Sequence, residues 1–158
     1  MTPKYQIRSA SLADLEEMLT ILPELADFEI PATRDAKDLW MGDADLLRAT
    51  LVGDAPASYA DVAVDTDDNV LGLVLITMRD ELLSHAPSAH LEAIVVAPRA
   101  RGKGLGRALL QHSEATSRAR GADSLSLHVF AANHRARSLY DGSGFDSELV
   151  RAIKWFDS

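Results

Sequence analysis

Cysteine is absent from the 158 residues, which excludes a disulfide scaffold, a thiolate zinc site and a cysteine nucleophile. Any covalent intermediate would have to form on another residue. Long apolar runs are missing too: the longest, Val70 to Ile76, falls well short of the roughly 18 residues that mark a membrane span. The start, MTPKYQIR, lacks the apolar core of an export signal, so a cytoplasmic address and no membrane partner are expected. Positive charge is scarce, with 16 Lys and Arg against 24 Asp and Glu, and the net charge of −8 argues against a general nucleic-acid binder. The five histidines have no neighbours at metal-ligand spacing, so no metal is expected. With no repeat, low-complexity tract or linker, the chain reads as a single domain over residues 1–158.

What is present is a change of period along the chain. Tyr5 to Arg8 reads as a short strand, and Ser11 with Asp14 has capping-box spacing, so a helix is expected from Leu12. Leu12, Leu15, Met18, Leu19 and Leu22 fall on one face of it, and Pro23 ends or kinks it. Glu29 to Gly42 is irregular. Asp43 is a candidate cap for a second helix through Leu51, closed by Gly53. Strands are then expected at Tyr59–Asp65, Val70–Met78 and His90–Val96, with a turn at Thr66–Asn69 and a block at Pro98. A helix over about Gly104–Arg120, a strand at Leu125–Val129, an Asn133-capped helix through Tyr140 and a last strand at Leu149–Phe156 complete the order. That order predicts a mixed α/β fold, a largely antiparallel central sheet flanked by helices.

The densest positive charge lies in "RARGKGLGRALL", where Arg99, Arg101, Lys103 and Arg107 ring Gly102, Gly104 and Gly106. A buried strand enters this stretch and a helix leaves it. The first-turn amides of that helix have no carbonyl partners, and with the helix dipole they form an anion site. Glycine keeps side chains from holding the backbone away from a phosphate. The alternating glycines fit neither the dinucleotide fingerprint nor the P-loop, each of which needs a different spacing.

Two motifs in register, Arg101-Gly102-Lys103-Gly104-Leu105-Gly106 and Asn133-x-x-Ala136-x-x-x-Tyr140 followed by Gly144-Phe145, resemble those of the GNAT N-acetyltransferases. The element order is similar over nearly the whole chain. The resemblance implies a GNAT-type fold and acetyl-CoA as cosubstrate. Its diphosphate would lie on residues Arg101, Gly102, Lys103, Gly104, Leu105, Gly106 and Arg107. The pantetheine arm would pair with the backbone of Ile94, Val95 and Val96 and touch Asn133. Relatives also imply a homodimer.

Acetyl transfer to an amine must take a proton from the amine and return one to the departing thiolate. The family's tyrosine at this motif position makes Tyr140 the candidate acid. Glu92, a carboxylate in an otherwise apolar strand, is the candidate base, directly or through water, with His90 on its face by the period of two. An amide near Ile94 or Val95 is the candidate for steadying the thioester oxygen. The "Leu91-Glu92" pair and the stretch Glu24-Leu25-Ala26-Asp27-Phe28-Glu29 resemble the diamine and polyamine branch, which implies a small cationic amine held by Asp27, Phe28, Glu29 and Glu92. Amino acids, aminoglycosides and protein N-termini stay open as acceptors. So does a CoA-binding regulatory domain without turnover.

Overall fold

The computed structural model describes residues 4–157. Five strands, β1 (Gln6–Ser9), β2 (Ser58–Val64), β3 (Val70–Asp80), β4 (Pro87–Val96) and β5 (Leu125–Leu127), form one sheet in that order. The first four are mutually antiparallel. β5 lies parallel to β4 and is reached through a crossover helix, α3 (Leu105–Ala119). On the face away from α3 lie α1 (Leu15–Ile21) and α2 (Met41–Leu51), while α4 (His134–Gly142) follows β5.

The first helix starts one turn later than its apolar pattern suggests. The capping box forms as expected, with the Ser11 amide donating to Asp14 Oδ2 at 2.8 Å, but residues Leu12–Asp14 wind as a 3-10 turn. Leu12 is 57% exposed and is not part of the buried face. Arg8 clamps the buried Asp14 with two hydrogen bonds of 2.8 and 2.9 Å, which hold its carboxyl below the usual carboxylate range. Pro23 ends the helix by tightening it into a 3-10 turn, Leu22–Ala26. The cap of α2 is Trp40 rather than Asp43, because the Ala44 amide donates to the Trp40 carbonyl, leaving Asp43 inside the first turn.

Two apolar cores sandwich the sheet. Met18, Leu22, Leu47, Leu73 and Leu75 meet Ala93 and Val95 on the α1–α2 side, while Val74, Ile76, Leu105 and Leu109 meet Ala89 and Leu91 on the α3 side. One strand, β4, thus serves both cores at odd-numbered positions. The cause is a bulge: Leu75 pairs with Ala93 and Ile76 with Leu91, so Glu92 has no opposite residue and the alternation of faces inverts across it. Nearer its start, at Gly72, β3 comes very close to its neighbours. A Cβ built on Gly72 would lie 2.8 Å from the Val95 carbonyl oxygen and 2.9 Å from Leu109 Cδ1, so this position admits only glycine.

The expected sixth strand does not form. Residues Leu149–Phe156 are mostly apolar but no strand is present there, and Val150 is 96% and Phe156 87% exposed. The reason lies in β5, which stops at Leu127 rather than Val129 and offers an edge only three residues long. The segment is met instead at its end, where the Arg34 guanidinium lies 5.2 Å from the Trp155 ring centre.

Candidate functional site

The strand β4 runs through a 3-10 turn, Pro98–Ala100, into the glycine-rich stretch. Gly102 and Gly104 have φ of +77° and +81°, the left-handed conformation that side-chain-bearing residues avoid. Gly104 is the N-cap of α3, and the first amide of the helix to find an intrahelical partner is that of Ala108, on the Gly104 carbonyl at 3.1 Å. The amides of Leu105, Gly106 and Arg107 are therefore left for something outside the helix. A Cβ at Gly102 or Gly104 would meet nothing within 4 Å, so the glycines face open space rather than packing. That space is a cleft of about 490 Å³.

The middle of the cleft is the open edge of β4. Pairing with β5 covers only Ala89, His90 and Leu91, and beyond them this side of β4 has no neighbouring strand among the described residues. The Ala97 amide donates to Leu71 of β3, so by alternation Val95 also turns its backbone groups to β3, while Ile94 and Val96 turn theirs to the open side. Of the two expected amides, that of Ile94 reaches the cleft edge and that of Val95 does not. The Val96 carbonyl already accepts a hydrogen bond from Arg101 Nε at 3.3 Å.

Arg101 is committed on its other nitrogens as well. Its Nη1 donates to Asp27 Oδ2 at 2.8 Å and its Nη2 to Glu24 Oε2 at 3.0 Å. Arg135, at the start of α4, adds a longer contact of 3.4 Å to the same Asp27 oxygen. Arg101 and then Arg135 hold the Asp27 carboxyl below its ordinary range. The turn Leu22–Ala26 is in this way tied to the glycine stretch by ion pairs across the cleft.

Tyr140 lines the far part of the cleft from α4, in edge contact with Phe145 at 5.9 Å between ring centres. Burial pushes its hydroxyl up to about 12, so it stays protonated at neutral pH and is a donor. Asn133 caps α4 as expected, its side-chain oxygen accepting from the Ala136 amide at 3.3 Å.

The cleft brings together Asp27, Ile94, Val95, Val96, Arg101, Gly102, Gly104, Leu105, Gly106, Arg107, Asn133 and Tyr140. Lys103 lines a neighbouring hollow with Lys4, Tyr5 and Arg99. Glu92, Phe28 and Glu29 do not line the cleft. Phe28 stacks at 5.6 Å on Phe130, which follows β5. The half-buried Glu92 sits at the bulge, and its charge reaches Asp43 on α2. His90 is buried beside it in the strand, with Nδ1 and Ser126 Oγ 2.8 Å apart and its ring 4.7 Å from that of His128. Burial, then the charges of Arg79 and His128, push His90 down to about 4, so it is a neutral imidazole at neutral pH.

Arg135 and Asp43 were not legible as site residues. Arg135 follows the Asn133 cap by two positions, which is a usable signal; Asp43 reads as a cap and gives none. Burial and then the Glu92 carboxylate push Asp43 up to about 7 from 3.8. Between these values the folded chain binds more protons than the unfolded one, so this group costs stability as pH rises from 4 through 7. Asp43→Asn is accordingly expected to stabilise the protein at pH 8 by about 2 kcal/mol, roughly half the full value of the shift because solvent screens this half-buried group, with the gain vanishing near pH 4, in urea unfolding at the two pH values.

The model of the acetyltransferase (GNAT) family matches residues 19–145. A mycothiol acetyltransferase of Beutenbergia cavernae is 43% identical over 67 residues, which cover 42% of this chain and 23% of that protein. An uncharacterized N-acetyltransferase of Bacillus subtilis is 47% identical over 55 residues, 34% of this chain and 35% of that one. The chain thus spans about a quarter to a third of the length of these relatives. A solved structure from Pyrococcus furiosus, provisionally assigned as an acetyl transferase, superposes with a TM-score of 0.78 at 23% identity, covering 96% of this chain and 99% of that one.

Proposed function

The chain belongs to the acetyltransferase (GNAT) family, and from that premise we propose that it transfers the acetyl group of acetyl-CoA to a primary amine of a small molecule. One observation carries the reading: a single cleft holds the left-handed glycine turn, the unpaired edge of β4 at Ile94 and Val96, and the Tyr140 hydroxyl's ring. These are a diphosphate cradle, a rail for an amide-bearing arm and a proton donor, in the order that a CoA thioester would need them. The residues fit the cosubstrate, since Gly102 and Gly104 leave open space where side chains would stand.

Acetyl-CoA supplies an activated carbonyl carbon. The amine nitrogen attacks it, the carbon–sulfur bond breaks, and the sulfur leaves with the proton of Tyr140. The proton lost by the amine passes to Glu92 through water, as the carboxylate lies at the bulge outside the cleft lining. The Ile94 amide, on the open edge, donates to the thioester oxygen as charge builds there. While Asp27 is paired with two guanidiniums, recognition of a cationic amine, a diamine or polyamine, falls to Glu92 and Glu29.

The test is thiol release from acetyl-CoA across polyamines, diamines, amino acids, aminoglycosides and short peptides. Turnover with the first two classes is the expected result. A silent panel together with a raised melting temperature in acetyl-CoA would favour a CoA-binding regulatory domain instead. Light scattering of the same preparation checks the expected homodimer.

A further inference from the structure

The ion pairs across the cleft have a consequence for how the cradle fills. Asp27 Oδ2 accepts from Arg101 at 2.8 Å and from Arg135 at 3.4 Å, and Glu24 takes the remaining Arg101 nitrogen at 3.0 Å. All four side chains line the same cleft as Gly102, Gly104 and Gly106. One carboxylate oxygen shared by two guanidiniums is how a phosphate oxygen would be held. We propose that Asp27 is a built-in competitor of the diphosphate: it pairs with Arg101 and Arg135 and is displaced from them when the cofactor binds. This rests on the reading of the cleft as a CoA site.

The sign follows from charge. A diphosphate entering the cleft faces Glu24 and Asp27 as well as the arginines, and the two carboxylates repel it. Displacing them frees the two guanidiniums and unties the turn Leu22–Ala26 from the glycine stretch. The chain just beyond that turn holds Phe28, stacked on Phe130, and Arg34, whose guanidinium lies 5.9 Å from Phe130 and 5.2 Å from Trp155. Filling of the cradle therefore reaches the segment where the acceptor amine is recognised, and Trp155 reports on it.

Calorimetric titration with CoA of the wild type, Asp27→Asn and Glu24→Gln tests this. Exposed ion pairs are individually weak, so removing the competing charge is expected to tighten CoA binding roughly two- to fivefold in each variant. In a Trp40→Phe background, CoA is expected to change Trp155 emission in the otherwise wild-type chain. Unchanged or weaker binding by Asp27→Asn, with its melting temperature intact, overturns the proposal and makes Asp27 a positioning residue for Arg101. Should Asp27→Asn not fold, Glu24→Gln decides by the same sign. A steady Trp155 signal on CoA binding overturns the release of the turn. No CoA binding by the wild type overturns the cofactor reading itself, and this proposal with it.

Discussion

Tyr140→Phe is expected to lower kcat by about 10²- to 10³-fold while leaving the dissociation constant for acetyl-CoA within about twofold. The ring is what packs: it makes edge contact with Phe145 and is buried in the α3-side core, and phenylalanine keeps both. Only the hydroxyl is lost, and with it the proton for the leaving sulfur. Because burial holds that hydroxyl protonated up to about 12, the wild-type rate should show no alkaline fall from this group between pH 7 and pH 10. Steady-state rates with and without the substitution, alongside calorimetry with acetyl-CoA, separate the chemical step from binding. An unchanged kcat would remove Tyr140 as the acid.

Gly104→Val is expected to weaken CoA binding by more than about 100-fold, through strain and obstruction together. A β-branched residue at φ +81° is held in a conformation it rarely adopts, and its side chain projects into the open cleft, since a Cβ there meets nothing within 4 Å. The same openness means that no core atom has to move, so the fold should survive. Calorimetry gives the affinity and circular dichroism the fold. Retained affinity would place the diphosphate somewhere other than on this turn.

Those two positions could be singled out from the sequence because each sits in a local signal: glycines between a strand and a helix, and a tyrosine in the helix that an asparagine caps. Positions whose role depends on neighbours remote in the chain could not. Gly72 reads as an unremarkable interruption of an apolar run, and only the approach of Val95 and Leu109 shows why it is glycine. Glu92 reads as a mid-strand carboxylate, whereas pairing with β3 makes it the extra residue of a bulge. Arg101 reads as a phosphate ligand, and its two acidic partners lie more than seventy positions upstream. The last strand failed for the opposite reason: Leu149 to Phe156 has strand-favouring residues such as Val150, Ile153 and Trp155, but a strand also needs an edge to join, and β5 is too short to provide one.

The three-residue join between β4 and β5 also bears on how wide the cleft can become. A parallel contact that short costs little to open, so the sheet itself sets no firm limit on the gap. The helices meet there at one point, where a Cβ on Gly106 would stand 3.4 Å from Leu139 Cδ2. On that side the spacing of α3 and α4 rests on Gly106 facing Leu139, so a larger residue at 106 would press on Leu139 and move the two helices rather than the strands.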